Sequence, residues 1–244
     1  MLLFIHGSGF TGDVFSQQLP AFPGSIAPNL PGHPSRGSGS TVAEFSDFIE
    51  HFISEHKLNE VTLCGNSLGG AVALDVALRK NPKVRSIVLL GSGARLRVAP
   101  QIIEGLRHDF ETTSREIAEI FYAEPTSQQI SYTMAAMHHV GQAQTIADYE
   151  ACNAFDVMER LNEISVPVLA ITGEQDRMTP PKYAHFLANR VPKGQVRIVP
   201  GAGHLVMAEK PTETNEAIAE FLTSGHDAGG ASIPRQARDR LSSA

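Results

Sequence analysis

The 244-residue chain contains no tryptophan and only two cysteines, Cys64 and Cys152. These cysteines follow no metal or redox spacing, which excludes a disulfide framework and a cysteine-based metal site. No apolar run reaches the roughly 18 residues of a membrane span, and the first residues lack the basic start and long apolar stretch of a signal peptide. We therefore predict a cytoplasmic globular protein without a membrane span, in which 42% hydrophobic residues build a sizeable core.

Positive charge is also scarce. Twenty Lys and Arg stand against 26 Asp and Glu, a formal net charge of −6, which argues against a nucleic-acid partner. The excess is uneven, because residues 95–160 hold 5 basic and 10 acidic residues, a net of −5, whereas 1–94 and 161–223 each carry a net of −1. This distribution predicts a separate unit inserted between two nearly neutral halves.

The two halves have the same pattern. Short apolar runs bounded by glycine or proline alternate with helical periodicity, which is typical of βαβ units, and the near-continuous Val, Ile and Leu runs indicate parallel strands buried on both faces. The predicted strands are 2–5, 25–30, 61–64, 84–90, 166–172 and 196–199, and the predicted helices are 41–56, 68–80, 180–191 and 211–222. The predicted fold class is therefore α/β, a mainly parallel open sheet flanked by helices, with ligands at the carboxyl ends of the strands.

The acidic segment has a different pattern. Residues 95–160 contain no convincing strand, and their apolar residues recur at helical spacing. We predict an all-helical cap over this segment, inserted into a core made of 1–94 and 161–223. Residues 224–244 are poor in large apolar side chains and are predicted to be a C-terminal extension or a tag-like tail.

A tight turn between a strand and a helix carries the first chemical signal. Residues 65–70 read Gly-Asn-Ser-Leu-Gly-Gly, and Gly-x-Ser-x-Gly in this context is typical of a nucleophile elbow. Larger residues two positions to either side of the serine would clash, and glycines at 65 and 69 remove that obstacle. The turn would hold the hydroxyl at the positive end of a helix, where developing negative charge is favoured. Ser67 is therefore the candidate nucleophile.

A serine hydroxyl needs a positioned base, and ten histidines are available. His204 differs from the others because Gly-Ala-Gly-His at 201–204 directly follows the last predicted strand, at the sheet edge expected for Ser67. The orienting carboxylate is expected after the preceding strand, where we choose Asp176 and Glu174 is the competitor. The order Ser67, Asp176, His204 is the chain order that accompanies a nucleophile elbow.

Acyl transfer also needs N–H donors for the oxyanion. Residues 6–9, His-Gly-Ser-Gly, follow the first predicted strand and can turn backbone amides toward Ser67. We assign the donors to the amides of Ser8 and Leu68. His6 is expected to brace this loop rather than to take part in catalysis.

Taken together, these residues resemble the α/β-hydrolase superfamily, specifically its small capped esterase-like members. The resemblance covers residues 1 to about 223 and rests on five motifs: HGSG at 6–9, LPGH at 30–33, GNSLGG at 65–70, GEQD at 173–176 and GAGH at 201–204. It implies a mainly parallel sheet with a helical cap inserted after the strand that ends near Leu90. Members usually begin with an antiparallel hairpin, which is missing here because the first residues already form the strand before the HGSG motif.

The resemblance also separates branches of the superfamily. Haloalkane dehalogenases and capped epoxide hydrolases use an aspartate where Ser67 stands, and proline iminopeptidase-like members usually carry a tryptophan beside the serine. The Asn66–Ser67 pair resembles hydrolases that split carbon–carbon bonds of ring-cleavage products. Those usually have a more glycine-rich oxyanion loop and an aromatic residue where Leu205 follows the histidine.

The leading hypothesis is a serine hydrolase for carboxylic esters with small to medium, largely uncharged acyl groups, acting on a small-molecule substrate without a cofactor or metal. A carbon–carbon bond hydrolase is the alternative, and a thioesterase or a slow-turnover ligand receptor is less favoured. The oligomeric state stays open. The residues expected to line the pocket are Gly9, Phe10, Phe110, Phe121, Met134, Met137 and Leu205.

Overall fold

The computed structural model describes residues 1–34 and 37–224. At its centre lies a five-stranded sheet in which all neighbouring strands of the described chain are parallel. The strands, in chain order and also in order across the sheet, are β1 Leu2–Ile5, β2 Val61–Asn66, β3 Val84–Leu90, β4 Val168–Gly173 and β5 Gly194–Val199. The α/β class and the parallel sheet predicted from the apolar runs are confirmed.

Ten α-helices occur in the described residues, and proline or a capping box begins several of them. Pro100, Pro181 and Pro211 stand in first turns, where their missing N–H costs no hydrogen bond. Thr41 and Glu44 form the capping box of α2. The helices are α1 Gln18–Ala21, α2 Val42–Glu55, α3 Leu68–Leu78, α4 Pro100–His108, α5 Phe110–Phe121, α6 Ser127–Val140, α7 Gln142–Ala154, α8 Pro181–Arg190, α9 Val206–Glu209 and α10 Pro211–Ser224.

Both faces of the sheet are covered, which explains the continuous apolar runs. Along β1, Leu3 and Ile5 pack into one hydrophobic cluster with α2, α3 and α8, whereas Leu2 and Phe4 pack into a second cluster with α10. Successive side chains of a strand point to opposite faces, so a strand buried on both sides needs an apolar residue at almost every position.

The predicted strand at 25–30 is wrong. Ile26 alone pairs with β1, through an isolated parallel bridge to Leu3, and its carbonyl accepts a hydrogen bond from the Phe4 amide at 2.8 Å. Pro28 follows two residues later and has no N–H to donate, so the ladder cannot continue.

Helices α4–α7 form a helical insertion between β3 and β4. Its two ends leave the sheet side by side, because Arg95 and Asp156 form an antiparallel bridge and an ion pair of 3.3 Å, and the Val157 amide donates to the Ala94 carbonyl at 2.8 Å. Of the predicted tail at 224–244, the first residue ends α10 and the rest lies outside the described residues. Among the described helices, none combines the length and apolar character needed to cross a bilayer.

The path of the chain opens a crevice at the carboxyl end of β1. After β1 the chain passes through Ile26 at the outer edge and then crosses to β2 on the other side. Ligands of open α/β sheets bind where adjacent connections diverge in this way. The loop after β1 and the turn after β2 both open into this crevice, so Ser8 and Ser67 are brought to one edge.

Candidate active site

Ser67 occupies the turn between β2 and α3 in a backbone conformation that serine rarely adopts, with φ 51° and ψ −113°. Its amide donates to the Leu90 carbonyl at 3.0 Å, which ties the turn to β3. Neither flanking glycine tolerates a side chain. A Cβ at Gly65 would lie 2.1 Å from the Gly69 carbonyl oxygen, and one at Gly69 would lie 2.1 Å from the Ile5 carbonyl oxygen. The strain and the close packing are those expected of a nucleophile elbow.

The loop after β1 lies against this turn. A Cβ at Gly7 would lie 2.8 Å from Asn66 Oδ1 and 3.3 Å from Ser67 Cβ, so only glycine allows the close approach. Leu68 is the first residue of α3, where an N–H has no acceptor within the helix. Within residues 1–34 and 37–224, the amides of Ser8 and Leu68 form no hydrogen bond with a protein acceptor. Both predicted oxyanion donors are therefore unused at the edge where Ser67 stands.

His204 lies in the loop between β5 and α9, and the end of α5 holds it. Its amide donates to the Phe121 carbonyl at 2.7 Å, and the two rings lie 5.1 Å apart. The neighbouring Gly203 amide donates to the Glu209 carboxylate at 2.7 Å, and burial raises the pKa of that carboxyl. The His204 ring is thus fixed by both the sheet and the helical insertion.

Asp176 fixes the orientation of the His204 ring. Its Oδ2 lies 3.0 Å from His204 Nδ1, and Oδ1 accepts the amides of Met178 and Thr179 at 2.8 Å each. Burial disfavours the charge of Asp176, but the attraction of His204 and the hydrogen bonds from His204 and Thr179 outweigh it and hold the pKa of the carboxyl below its usual value. A carboxylate acceptor at Nδ1 leaves His204 Nε2 as the proton-accepting nitrogen.

The competing carboxylate does not reach the ring. Glu174 is exposed, and its Oε2 accepts the Gly201 amide at 3.3 Å. The choice of Asp176 over Glu174 therefore agrees with the side-chain contacts.

Ser67 and His204 line one cavity of about 40 Å³ at this edge. Each water needs about 10–15 Å³, so the unliganded volume holds about three waters. No hydrogen bond joins the Ser67 hydroxyl to His204 Nε2 among the described residues, and such bonds are often longer before substrate binds. Of the residues predicted for the pocket, Phe10, Phe121 and Leu205 lie in the cavity lining, and Ser8, predicted as an oxyanion donor, lies there too.

Four residues predicted for the pocket lie outside this lining. Met137 is fully buried in the core and Met134 is nearly so, which shows that their helical spacing marks packing. Phe110 packs edge-on against the ring of His138, 5.2 Å away. Gly9 lies beneath Met137, whose Cγ would be 2.9 Å from a Cβ at this position.

Sequence reasoning missed the contribution of α7. Tyr149 and Cys152 line the cavity from this helix, and the other missed lining residues are Gly7, Asn66, Leu96, Arg97, Val98, Met178, Thr179 and Tyr183. Buried positions 145, 148, 149 and 152 form a stripe at helical spacing along α7. Because two of these four residues are Thr and Asp, a search for apolar residues at helical spacing does not find this stripe.

A larger cavity of about 300 Å³ lies away from this chemistry, between Arg85, Pro167 and Gly194 at the amino ends of β3, β4 and β5. It contains neither Ser67 nor His204. No cluster of three or more His, Cys, Asp or Glu side chains among the described residues could hold a metal ion.

Comparison with known proteins places the chain in a family. The sequence profile of the Alpha/beta hydrolase family matches residues 2–217. A solved structure described as that of a thermophilic esterase superposes with a TM-score of 0.85 at 31% identity, covering 92% of this chain and 90% of the other. The pimeloyl-[acyl-carrier protein] methyl ester esterase of Aromatoleum aromaticum is 26% identical over 91% of this chain and 97% of its own length. The enzyme of the same name from Neisseria meningitidis is 28% identical, over 82% and 84%. The chain therefore belongs to the alpha/beta hydrolase family, as an esterase-like hydrolase.

Proposed function

We propose that this protein is a serine hydrolase that cleaves carboxylic esters through a triad of Ser67, His204 and Asp176. One observation carries the proposal: a strained serine at a strand-to-helix turn and a carboxylate-held histidine line the same cavity. A plain glycine-rich turn would need neither the strain nor the oriented ring. The chemistry requires no cofactor, since protons and the acyl group move among side chains, substrate and water.

In the acylation half, the Ser67 oxygen attacks the ester carbonyl carbon while its proton passes to His204 Nε2. The carbon–oxygen bond to the alcohol then breaks, and the same proton passes from His204 to the leaving oxygen. Asp176 stabilises the imidazolium that exists between these two transfers. The products are an alcohol and an acyl ester of Ser67.

The negative charge of the tetrahedral intermediate needs donors that are already in place. Among the described residues the amides of Ser8 and Leu68 have no protein acceptor, and they stand on the two segments that meet at Ser67, which supports them as the oxyanion hole. Loss of one such donor typically costs about 3–4 kcal/mol of transition-state stabilisation. In the second half, His204 removes a proton from water, the hydroxide attacks the acyl carbon, and Ser67 leaves with the proton.

The residues in the cavity wall support the proposal that the substrates are esters with small to medium, largely uncharged acyl groups. Phe10, Phe121 and Leu205 supply apolar surface around a volume of about 40 Å³. Because Phe121 of α5 and Tyr149 of α7 share this wall, segment 95–160 acts in the proposal as a cap domain over a core of 1–94 and 161–223. Its net charge of −5 would slow the approach of anionic substrates.

A methyl ester on a carrier-bound acyl chain is the second candidate. It is favoured by the names of the two relatives, and by Arg97, which stands exposed at the cavity wall. The acidic helical insertion disfavours it, because acyl carriers are themselves anionic. Turnover of a free short ester and of the same ester tethered to a carrier, measured side by side, distinguishes the two.

The test is hydrolysis of p-nitrophenyl esters graded by acyl length, with the wild type, Ser67→Ala and the matched surface variant Ser54→Ala. We expect turnover that declines beyond a short acyl cutoff, loss of at least about four orders of magnitude in kcat for Ser67→Ala, and no change for Ser54→Ala. Undiminished turnover by Ser67→Ala would sink the nucleophile assignment. Turnover of a vinylogous diketone with little ester activity would favour the carbon–carbon hydrolase, and a stable covalent adduct without steady-state turnover would favour a receptor.

A further inference from the structure

A second histidine–aspartate pair lies buried next to the proposed active site, and the mechanism above does not use it. His33 Nε2 lies 2.8 Å from Asp148 Oδ2, and both side chains are fully buried. His33 belongs to the loop after Leu30, whereas Asp148 lies on α7. The pair therefore joins the core to the helical insertion at a point enclosed on all sides.

The hydrogen-bond partners that the described residues give the Asp148 carboxylate are all donors. Oδ2 accepts the Gly9 amide at 2.9 Å in addition to His33, and Oδ1 accepts Gln144 Nε2 at 3.0 Å. The other ring nitrogen of His33 lies 3.0 Å from the Pro31 carbonyl, which can only accept, so that nitrogen carries a hydrogen. A buried carboxylate is stable only when its oxygens are satisfied in this way, and here both oxygens of Asp148 have partners.

The Gly9 amide connects this pair to the loop that carries Ser8. Gly9 has φ +70°, and a Cβ at this position would lie 2.9 Å from Met137 Cγ, so the loop packs closely against the helical insertion here. The Ser8 hydroxyl also contacts α7, 3.6 Å from Cys152 Sγ and one helical turn beyond Asp148. Helix α7 thus contacts two consecutive residues of the loop, Ser8 and Gly9.

The buried side chain of His6 contacts the same loop. Its Nδ1 donates to the Gly7 carbonyl at 3.0 Å, and its Nε2 accepts the Leu30 amide at 3.0 Å. Burial and then the nearby charge of His33 lower the pKa of His6 to about 3, so its ring stays neutral and can accept at Nε2. The rings of His6 and His33 are 4.6 Å apart, so the two histidines that contact this region pack against each other.

We propose that Asp148, with His33, is a positioning residue that sets the Ser8 amide in place for the oxyanion. The inference rests on the proposed function, since it needs an oxyanion at Ser67. Asp148 touches no reacting atom, and its route to the reaction is the Gly9 amide, one peptide bond from the Ser8 residue. A helix of the insertion would thereby complete the oxyanion hole of the core.

The experiment compares Asp148→Leu, Asp148→Asn and His33→Gln with Glu150→Gln, an exposed control on the same helix. The measurements are kcat and KM per folded molecule on a short p-nitrophenyl ester, and the Ki of a trifluoromethyl ketone that forms the tetrahedral adduct. We expect kcat to fall about 10- to 100-fold in Asp148→Leu, with KM within about twofold and the ketone bound correspondingly more weakly. Asparagine keeps one oxygen for the Gly9 amide and should restore part of the loss, and Glu150→Gln should match the wild type.

Each other outcome overturns the inference. Wild-type kcat in folded Asp148→Leu, or a loss confined to KM, excludes a role in transition-state stabilisation. If Asp148→Leu does not fold, the same criteria are applied to Asp148→Asn and His33→Gln. Unchanged kcat and unchanged ketone affinity in both variants would show that the pair is a purely structural contact. Ester activity that disappears in Ser67→Ala but persists in these variants rejects the positioning role alone. A wild type without ester activity rejects the proposed function and the inference with it.

Discussion

The part of the chain that the structure describes contains two buried histidine–aspartate pairs, and they differ in what the second nitrogen of each ring does. In the pair of His204 and Asp176, Nδ1 faces the carboxylate at 3.0 Å while the ring lines the cavity. In the pair of His33 and Asp148, one nitrogen faces the carboxylate at 2.8 Å and the other faces a backbone carbonyl at 3.0 Å. A histidine can act as a base only with a nitrogen left to take a proton. In the proposals above, the same two residue types therefore form one pair that takes part in the reaction and one pair that positions a loop.

Replacing the histidine of each pair by glutamine should give the largest difference in kcat between the two pairs. His204→Gln should lower kcat by about four to six orders of magnitude, because it removes the only proposed base. His33→Gln should lower it by only about one to two orders, since glutamine can still donate to Asp148. Steady-state kinetics on one ester measures both. Equal losses would mean that the two pairs do not differ in role.

Removing the charge of each carboxylate sharpens the contrast. Asp176→Asn should reduce kcat by about 10⁴-fold, because an amide can donate to Nδ1 and so favour the wrong tautomer of His204. Asp148→Asn should cost about tenfold or less. Glu174→Gln, two residues before Asp176, is the matched control and should retain wild-type rates. A severe loss in that control would transfer the orienting role to Glu174.

Stability against pH tests the electrostatics of the first pair. The pKa of Asp176 is lower in the folded chain than the usual 3.8 of an unfolded aspartate, so its ionisation contributes stability that is complete above 3.8 and is lost as pH falls through the folded pKa. Denaturant unfolding of the wild type and Asp176→Asn from pH 7 to 3 should therefore show a difference in unfolding free energy that is constant at high pH and changes below pH 4. A difference that stays constant to pH 3 would contradict the lowered pKa.

The smallest expected effect concerns the access of charged substrates to the cavity. Of the two pairs, only that of His204 and Asp176 lies at this cavity. Arg97 is exposed at the cavity wall, and no carboxylate of the described residues lies within 4.0 Å of its guanidinium. Arg97→Ala should raise KM about two- to fivefold for a short ester that carries a free carboxylate, leave a neutral ester unchanged, and show less effect in high salt. Arg115→Ala, on the exposed side of α5, is the control. Equal KM changes for neutral and anionic esters would exclude a charge effect.

Ser67 and the pair of Asp176 and His204 could be proposed from the sequence because their positions depend on short-range features of the chain. Each of Ser67, Asp176 and His204 follows its own apolar strand, and parallel strands bring their carboxyl ends to one edge. The glycines at 65 and 69 are required by sterics within a single turn, which a short sequence displays in full. The wrong strand at 25–30 shows the limit of such rules, since apolar composition alone did not register that proline ends the ladder.

The second pair had no comparable signal. His33 and Asp148 are 115 residues apart, and Asp148 and Thr145 keep the buried stripe of α7 from being apolar. Likewise, Phe110, Met134 and Met137 were expected in the cavity wall, but the packing of α4–α7 places them outside the cavity lining and places Tyr149 in it.

The amino-acid sequence alone was sufficient for the α/β class, the parallel strands β1–β5 and the tight strand-to-helix turn at Ser67, and it suggested the three residues of the proposed triad. These features depend on periodicity, on glycine sterics and on which end of a strand a loop follows, all of which act over a few residues. The cavity wall, the burial of Asp148 and the contact of α7 with the Ser8 loop arose only when distant segments packed. The physical reason is that burial, desolvation and hydrogen-bond satisfaction depend on every neighbour in space, and most of those neighbours are far away along the chain.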